Sequence, residues 1–126
     1  PVVVVNKGDQ LGAPRWQLNV GGQFDWRLLD RWDTFVRADY QYSSQFQRGV
    51  GPGAQGYDAQ TVVGAPTHYL TARAGVSLKG WELAAFVNNV TDSQDRLYSA
   101  HGAGSPLITS STFRPREIGL EATVHY

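Results

Sequence analysis

Read back from the C-terminus, this chain alternates without a break. Tyr126, Val124, Ala122, Leu120 and Ile118 are apolar or aromatic, whereas His125, Thr123, Glu121, Gly119 and Glu117 are polar, charged or minimal. A β-strand sends successive side chains to opposite faces, so such a segment is a strand with one greasy face and one wet face. The pattern recurs. From Trp16 to Leu28 one face carries Trp16, Leu18, Val20, Phe24, Trp26 and Leu28, and the other Gln17, Asn19, Gln23, Asp25 and Arg27. Within Thr34 to Ser44, Val36, Ala38, Tyr40 and Tyr42 oppose Arg37, Asp39, Gln41 and Ser43. Within Tyr69 to Leu78, Leu70, Ala72, Ala74, Val76 and Leu78 oppose Thr71, Arg73, Gly75 and Ser77. From Trp81 to Val90 the alternation weakens, because Ala84 and Phe86 fall on the otherwise wet side. No window keeps a helical apolar period. The expected fold is all-β, an antiparallel up-and-down meander of about five long strands.

The connections are unequal in an ordered way. Leu29 to Asp33 and Lys79-Gly80 are short, and the second is a tight hairpin turn in which Gly supplies a positive φ. Gln45 to His68 and Thr91 to Phe113 are long and rich in Gly, Ser and Ala. Short links on one edge and long loops on the other are the arrangement of transmembrane β-barrels. Strands of about ten residues also match a tilted bilayer crossing, whereas soluble strands average nearer five or six. Aromatics fall near strand ends, at Trp16, Trp26, Tyr40, Tyr42, Trp81 and Tyr126. Trp and Tyr favour the lipid–water interface because the ring is apolar and one edge is polar. The expected lipid face therefore includes Trp16, Leu18, Val20, Tyr40, Ala74, Val76, Trp81 and Leu83. The expected lumen face carries Asp25, Arg37, Asp39, Arg73 and Glu121, paired across strands.

Composition narrows the alternatives. The chain has 126 residues, room for one domain, with 11 basic and 11 acidic side chains. That balance offers no basic patch for nucleic acid. It has no cysteine, which rules out disulfides and thiolate metal sites, and no apolar run long enough for a transmembrane helix. It opens at Pro1 and contains no Met, so it is expected to be a piece of a longer protein. Five strands cannot close a barrel, which needs about eight even when small. The chain is thus expected to be the C-terminal part of a larger barrel, unstable alone in water. Val2 to Val5 reads as loop or a short extra strand.

Three segments resemble the C-terminal end of a TonB-dependent outer-membrane receptor. Pro14-Arg15-Trp16, with Asn19, Gly21 and Phe24, is similar to the strand opening "P-x-W-x-x-N-x-G-x-x-Y" of that family. Phe86-Val87-Asn88-Asn89-Val90-Thr91-Asp92 with Tyr98 resembles its "V-x-N-L-x-D-x-x-Y" segment. Arg114-Pro115-Arg116-Glu117-Ile118-Gly119-Leu120, running to Tyr126, resembles its final strand "P-R-x-x-G-L-x-x-x-Y-x-F", with Tyr in place of the usual terminal Phe. The resemblance implies a plugged barrel of about 22 strands in the outer membrane of a Gram-negative bacterium. It implies energised uptake of a scarce ligand, such as an iron–siderophore complex, cobalamin or a carbohydrate. The TonB complex would be reached through a missing N-terminal part. Ile118, Leu120, Val124 and Tyr126 would carry the signal read by the barrel-assembly machinery, since an amphipathic terminal strand can add to an exposed sheet edge. Porin-like channels share most of these features, and a soluble β-sandwich or lipocalin-like module shares the alternation.

Chemistry-bearing patterns are sparse. His68, His101 and His125 share no metal spacing. The Gly49–Gly56 stretch lacks the Lys-Ser/Thr of a phosphate loop. No nucleophile elbow is present, and the acidic pairs Asp25/Asp39 and Glu117/Glu121 are better read as ion-pairing than as acid–base machinery. No enzyme and no cofactor are expected. Asn88 and Asp92 are expected to cap the fourth strand's outer end, and Asn89-Val90-Thr91 matches a glycosylation sequon. Ligand contacts belong in the two long loops, where Tyr57, His68, Tyr98 and His101 are the candidates.

Overall fold

The computed structural model describes residues 12–48, 50, 52–53, 56–60, 63–100, 102 and 105–125. Among these the chain is all-β, without helix. Nine strands occur in order: β1 (Gln17–Leu28), β2 (Trp32–Ser43), β3 (Phe46–Gln47), β4 (Val63–Gly64), β5 (Thr67–Leu78), β6 (Trp81–Asn88), β7 (Arg96–Ala100), β8 (Thr109–Thr112) and β9 (Glu117–Val124). The five long segments read from the alternation form one sheet in the order β1-β2-β5-β6-β9, with β1 and β9 at its two ends. Each long strand neighbours the next one in the chain, which is a meander. The fragments β3-β4 and β7-β8 form two separate two-stranded ladders. The described residues fall into two units: the sheet, drawn from 18–41, 68–93 and 114–126, and a loop unit drawn from 1–17, 42–67 and 94–113.

Register brings the apolar positions together. Ala74 faces Ala85 and Val76 faces Leu83 across β5 and β6, which are antiparallel. Across β6 and β9, Ala85 faces Leu120, Leu83 faces Ala122 and Val87 faces Ile118. Directly opposed residues share a face, so Ala74, Ala85 and Leu120 form one continuous apolar row. Within the described residues no layer of polypeptide covers this face. Phe24 is 66% exposed, Ile118 73% and Leu120 86%. Ala84, 5% exposed, is the one buried hydrophobic side chain among the described residues, and it belongs to the opposite, charged face.

That opposite face explains the weak alternation of β6. Phe86 lies directly over Gly119 of β9, so that any Cβ at 119 would collide with its ring. Phe35 of β2 does the same over Gly75, where a Cβ would come within 2.6 Å of the ring and 3.0 Å of the Leu83 carbonyl oxygen. Two aromatics on the wet face thus occupy the space that a side chain at Gly75 or Gly119 would need.

Several boundaries differ from the alternation. β2 begins at Trp32, not Thr34, because Leu28 to Arg31 closes a tight turn: Arg31 N–H donates to the Leu28 carbonyl at 3.1 Å. Both central residues, Leu29 and Asp30, have φ of 52°, the geometry of a type I′ hairpin turn. This turn matches the right-handed twist of the flanking strands but suits Asn-Gly better than Leu-Asp. β6 ends at Asn88 because Asn89, with φ of 53°, leaves the extended region. β9 spans Glu117–Val124 rather than Arg114 to Tyr126. The long connections are not bare loops, since each contains a short ladder. The expectations for residues 1–10, His101 and Tyr126 lie outside the described residues.

Replacing Gly75 by Ala is expected to destabilise the folded sheet by about 1–3 kcal/mol through overpacking against Phe35. Gly22→Ala, at a position with open space around it, is expected to be neutral or better. Urea titrations of the two variants in detergent micelles make the comparison.

Candidate functional site

Three groups of polar side chains are built by this fold. The first is the charged face of the sheet. On β5, Arg73 Nη1 donates to Glu121 of β9 at 2.8 Å, and its Nη2 lies 3.5 Å from Glu82 of β6. One guanidinium therefore ties three strands. On β2, Arg37 and Asp39 sit two residues apart and point the same way, which allows a two-pronged contact at 2.7 and 2.9 Å. Asp39 lies across Gly21 of β1, where a side chain would strike its carboxylate. Arg37, Asp39, Arg73, Phe86, Asn88 and Glu121 line a shallow concavity of about 350 Å³. The expected wet-face residues share this face, where some of them pair across strands and others along a single strand. Arg73 with Glu121, and Arg27 of β1 with Asp33 of β2 at 3.2 Å, cross strands, whereas Arg37 and Asp39 pair along β2 and Asp25 accepts a hydrogen bond from Gln23 of its own strand at 2.8 Å. The physical reason is the period of two: residues i and i+2 on one strand are neighbours on one face.

The second group is the start of the long excursion after β6. Asn89 is 0% exposed, and its carboxamide is fully used. Nδ2 donates to the Ser93 carbonyl at 2.9 Å and to the Arg114 carbonyl at 2.8 Å, while Oδ1 accepts from the Ser93 N–H at 2.8 Å. Asp92 completes the clasp, its Oδ1 accepting from the Arg116 N–H at 2.9 Å. The outgoing and returning chain are thereby stapled together. Asp92 acts as the sequence suggests. The larger part belongs to Asn89, and Asn88 instead reaches Glu117 at 3.3 Å. Burial also leaves the sequon's Asn89 side chain without access for a glycan.

The third group lies in the loop unit. The Arg48 guanidinium carbon sits 4.7 Å from the centre of the Phe46 ring and 5.7 Å from that of Tyr98. Its Nη2 donates to the Leu97 carbonyl. β3 and β4 pair antiparallel, with Phe46 facing Gly64, and β7 and β8 pair around an irregularity between Arg96 and Tyr98. Arg48, Gln60, Gly64, Arg96, Tyr98 and Ser99 line a cavity of about 80 Å³.

Of the four ligand candidates, His101 lies outside the described residues. Tyr57 and Tyr98 belong to the loop unit and are exposed. His68 is not in a loop: it sits on β5, where its Nδ1 lies 2.8 Å from the Tyr40 hydroxyl on β2. Alternation places both on the apolar face, a tyrosine–histidine pair at one end of the strands. No group of three metal-ligating side chains occurs among the described residues. Arg48 and Arg96 escaped the sequence reading, which noted Asn89 only within the motif segment and the sequon. The signal for the first two was present as Phe46-x-Arg48 and Arg96-x-Tyr98, in each an aromatic and an arginine two positions apart. Comparison with protein-family models, curated proteins and solved structures found no match.

Asn89→Ala is expected to remove about 2–4 kcal/mol, since three hydrogen bonds are lost and buried backbone groups are left unpaired. Hydrogen exchange would report it as faster exchange at the Ser93 and Arg116 amides. Leu29→Asn with Asp30→Gly is expected to stabilise the hairpin by about 1 kcal/mol, read as a raised denaturation midpoint in micelles.

Proposed function

We propose that this chain is part of the wall of a transmembrane β-barrel, the C-terminal part of a TonB-dependent outer-membrane receptor that takes up a scarce ligand. The observation that carries the reading is the uncovered apolar face running through Ala74, Ala85 and Leu120. Water does not tolerate such a face over five strands; lipid does. Its height supports the same conclusion. Leu18 to Leu28 is ten strand steps, about 33 Å at ~3.3 Å each, or about 25 Å across a membrane at a tilt near 40°. That is the apolar band of an outer-membrane barrel. Trp26, Trp32 and Trp81 stand toward one end of the strands and Tyr40 with His68 toward the other, as interfacial girdles do. The charged face, with its ion pairs, suits a wet or plugged lumen.

The step from barrel to receptor rests on the motif resemblance. The segment Asn88-Asn89-Val90-Thr91-Asp92 gains a physical rationale here, because Asn89 and Asp92 staple the base of a long excursion. Short turns at Leu29–Arg31 and Lys79–Gly80 contrast with excursions of more than twenty residues, which suits a wall with recognition loops on one side only. The lipid partner follows from the apolar face. The TonB complex and the barrel-assembly machinery follow from the resemblance, with Ile118, Leu120 and Val124 on the exposed side of the terminal strand.

Detergent dependence comes first: the chain is expected to be monodisperse only in micelles or vesicles, and a cooperatively melting monomer in plain buffer would defeat the reading. Given that result, Ala74→Arg or Val20→Arg is expected to cost about 2–4 kcal/mol in refolding into phosphatidylcholine vesicles. Thr123→Arg, on the charged face opposite Glu82, is expected to cost almost nothing. For the receptor step, growth on a scarce iron chelate should fail both when the protein is deleted and when the proton gradient is dissipated. Uptake that persists without the gradient would indicate a passive channel instead.

A further inference from the structure

The loop unit holds a cationic group whose hydrogen-bonding capacity is not used up. Arg48 Nε is shut off from solvent, and among the described residues it has no partner. An N–H of a guanidinium left unpaired inside protein is costly, and such groups are normally satisfied. The rest of the side chain is held firmly, with Nη2 on the Leu97 carbonyl and the plane near the Phe46 and Tyr98 rings. Arg48 is therefore fixed in place with one donor to spare.

The space beside that donor is also constrained. Gly64 is buried, and a Cβ there would lie 3.1 Å from Arg48 Nε and 3.3 Å from the Phe46 ring. Glycine at 64 lets the chain pack closely beside the Arg48 guanidinium, and any side chain there would press on it. Gly64 and Arg48 both line the cavity of about 80 Å³, together with Arg96, Gln60, Tyr98 and Ser99. Among the described residues the Arg96 guanidinium has no hydrogen-bond or ion-pair partner, and no carboxylate lines the cavity. This is room for a few waters or for one carboxylate- or phosphate-sized group, not for an entire ligand.

We propose that this cavity is a subsite for an oxyanion, a carboxylate or phosphate carried by a larger ligand, with the Arg48 and Arg96 guanidiniums as donors. Two guanidiniums supply forked donors matched to a planar or tetrahedral oxyanion, and the aromatic walls lower the local dielectric that strengthens the contact. Gln60 and Ser99 add neutral polar groups at the rim. The assignment rests on the uptake reading only in taking the anion to be part of a transported molecule.

The test uses ¹⁵N-arginine labelling of the protein in detergent micelles and follows the Nε–H signals by NMR. Citrate and inorganic phosphate are titrated separately. Arg48 Nε–H is expected to shift saturably with at least one of them, with a dissociation constant on the order of millimolar. Response to citrate alone identifies a carboxylate subsite, and response to phosphate alone a phosphate one. Arg96→Gln, at an exposed position, should keep the fold and weaken binding about tenfold or more. Gly64→Ala should weaken it too. Indifference of Arg48 to both anions overturns the proposal, as does an equal shift at Arg27, which lies in the sheet unit, or unchanged affinity in Arg96→Gln. An anion response in a chain that proves soluble without lipid would keep the subsite and remove the uptake reading. A silent Arg48 in a membrane-inserted protein would do the reverse.

Discussion

Everything in this sheet is arranged around an apolar side that, among the described residues, has no layer of protein to lie against. The usual solution for an amphipathic sheet is a second layer of sheet or helix, with a buried core between the two. Here the described residues offer almost no such core. Ala84 is the only hydrophobic side chain buried among them, and it sits on the charged side. The apolar row of Ala74, Ala85 and Leu120 is made by register, not by tertiary collapse. A slip of one residue in either ladder would send all the apolar positions of the slipped strand to the charged face. The main-chain hydrogen bonds thus define the surface, and the surface sets the demand on the surroundings.

The charged face does structural work that the apolar face cannot. Arg73 joins β5 to β6 and β9 through Glu82 and Glu121. Asp39 of β2 reaches over Gly21 of β1, and Phe35 of β2 over Gly75 of β5. Each of these contacts crosses between neighbouring or next-neighbouring strands, so the face resists shear without a hydrophobic core. The exposed ion pairs contribute little energy individually. Their geometry favours the observed register over a shifted one, in which the partners would no longer meet.

Where the chain leaves the sheet, the same problem is met with polar side chains. Asn89 turns the strand by adopting a left-handed backbone and then satisfies the exposed ends of that turn with its own carboxamide. Asparagine tolerates this conformation better than most residues and carries both donor and acceptor. Within the loop unit, short ladders and the Arg48–aromatic contact replace what would otherwise be unpaired backbone. The described parts of the excursions therefore carry hydrogen-bonded structure of their own, which suits them to recognition more than to mere connection.

The alternation alone determined the fold class, the five long strands, their faces and the unequal connections, because a period of two is a local property that each side chain declares by its own polarity. Trp16, Val20, Ala74 and Leu120 were assignable to one face without coordinates. The tertiary structure alone decided which wet-face residues meet. Arg73 lies 48 positions from Glu121, and nothing in either segment specifies the alignment of β6 with β9 that brings them together. The position of His68 on a strand, the burial of Asn89 and the meeting of Arg48 with Tyr98 belong to the same class. Each depends on the path of chain segments distant in sequence, and polarity patterns carry no information about distance. The Leu29–Asp30 turn shows the converse case: its residues disfavour the left-handed backbone they adopt, and the pairing of β1 with β2 imposes it.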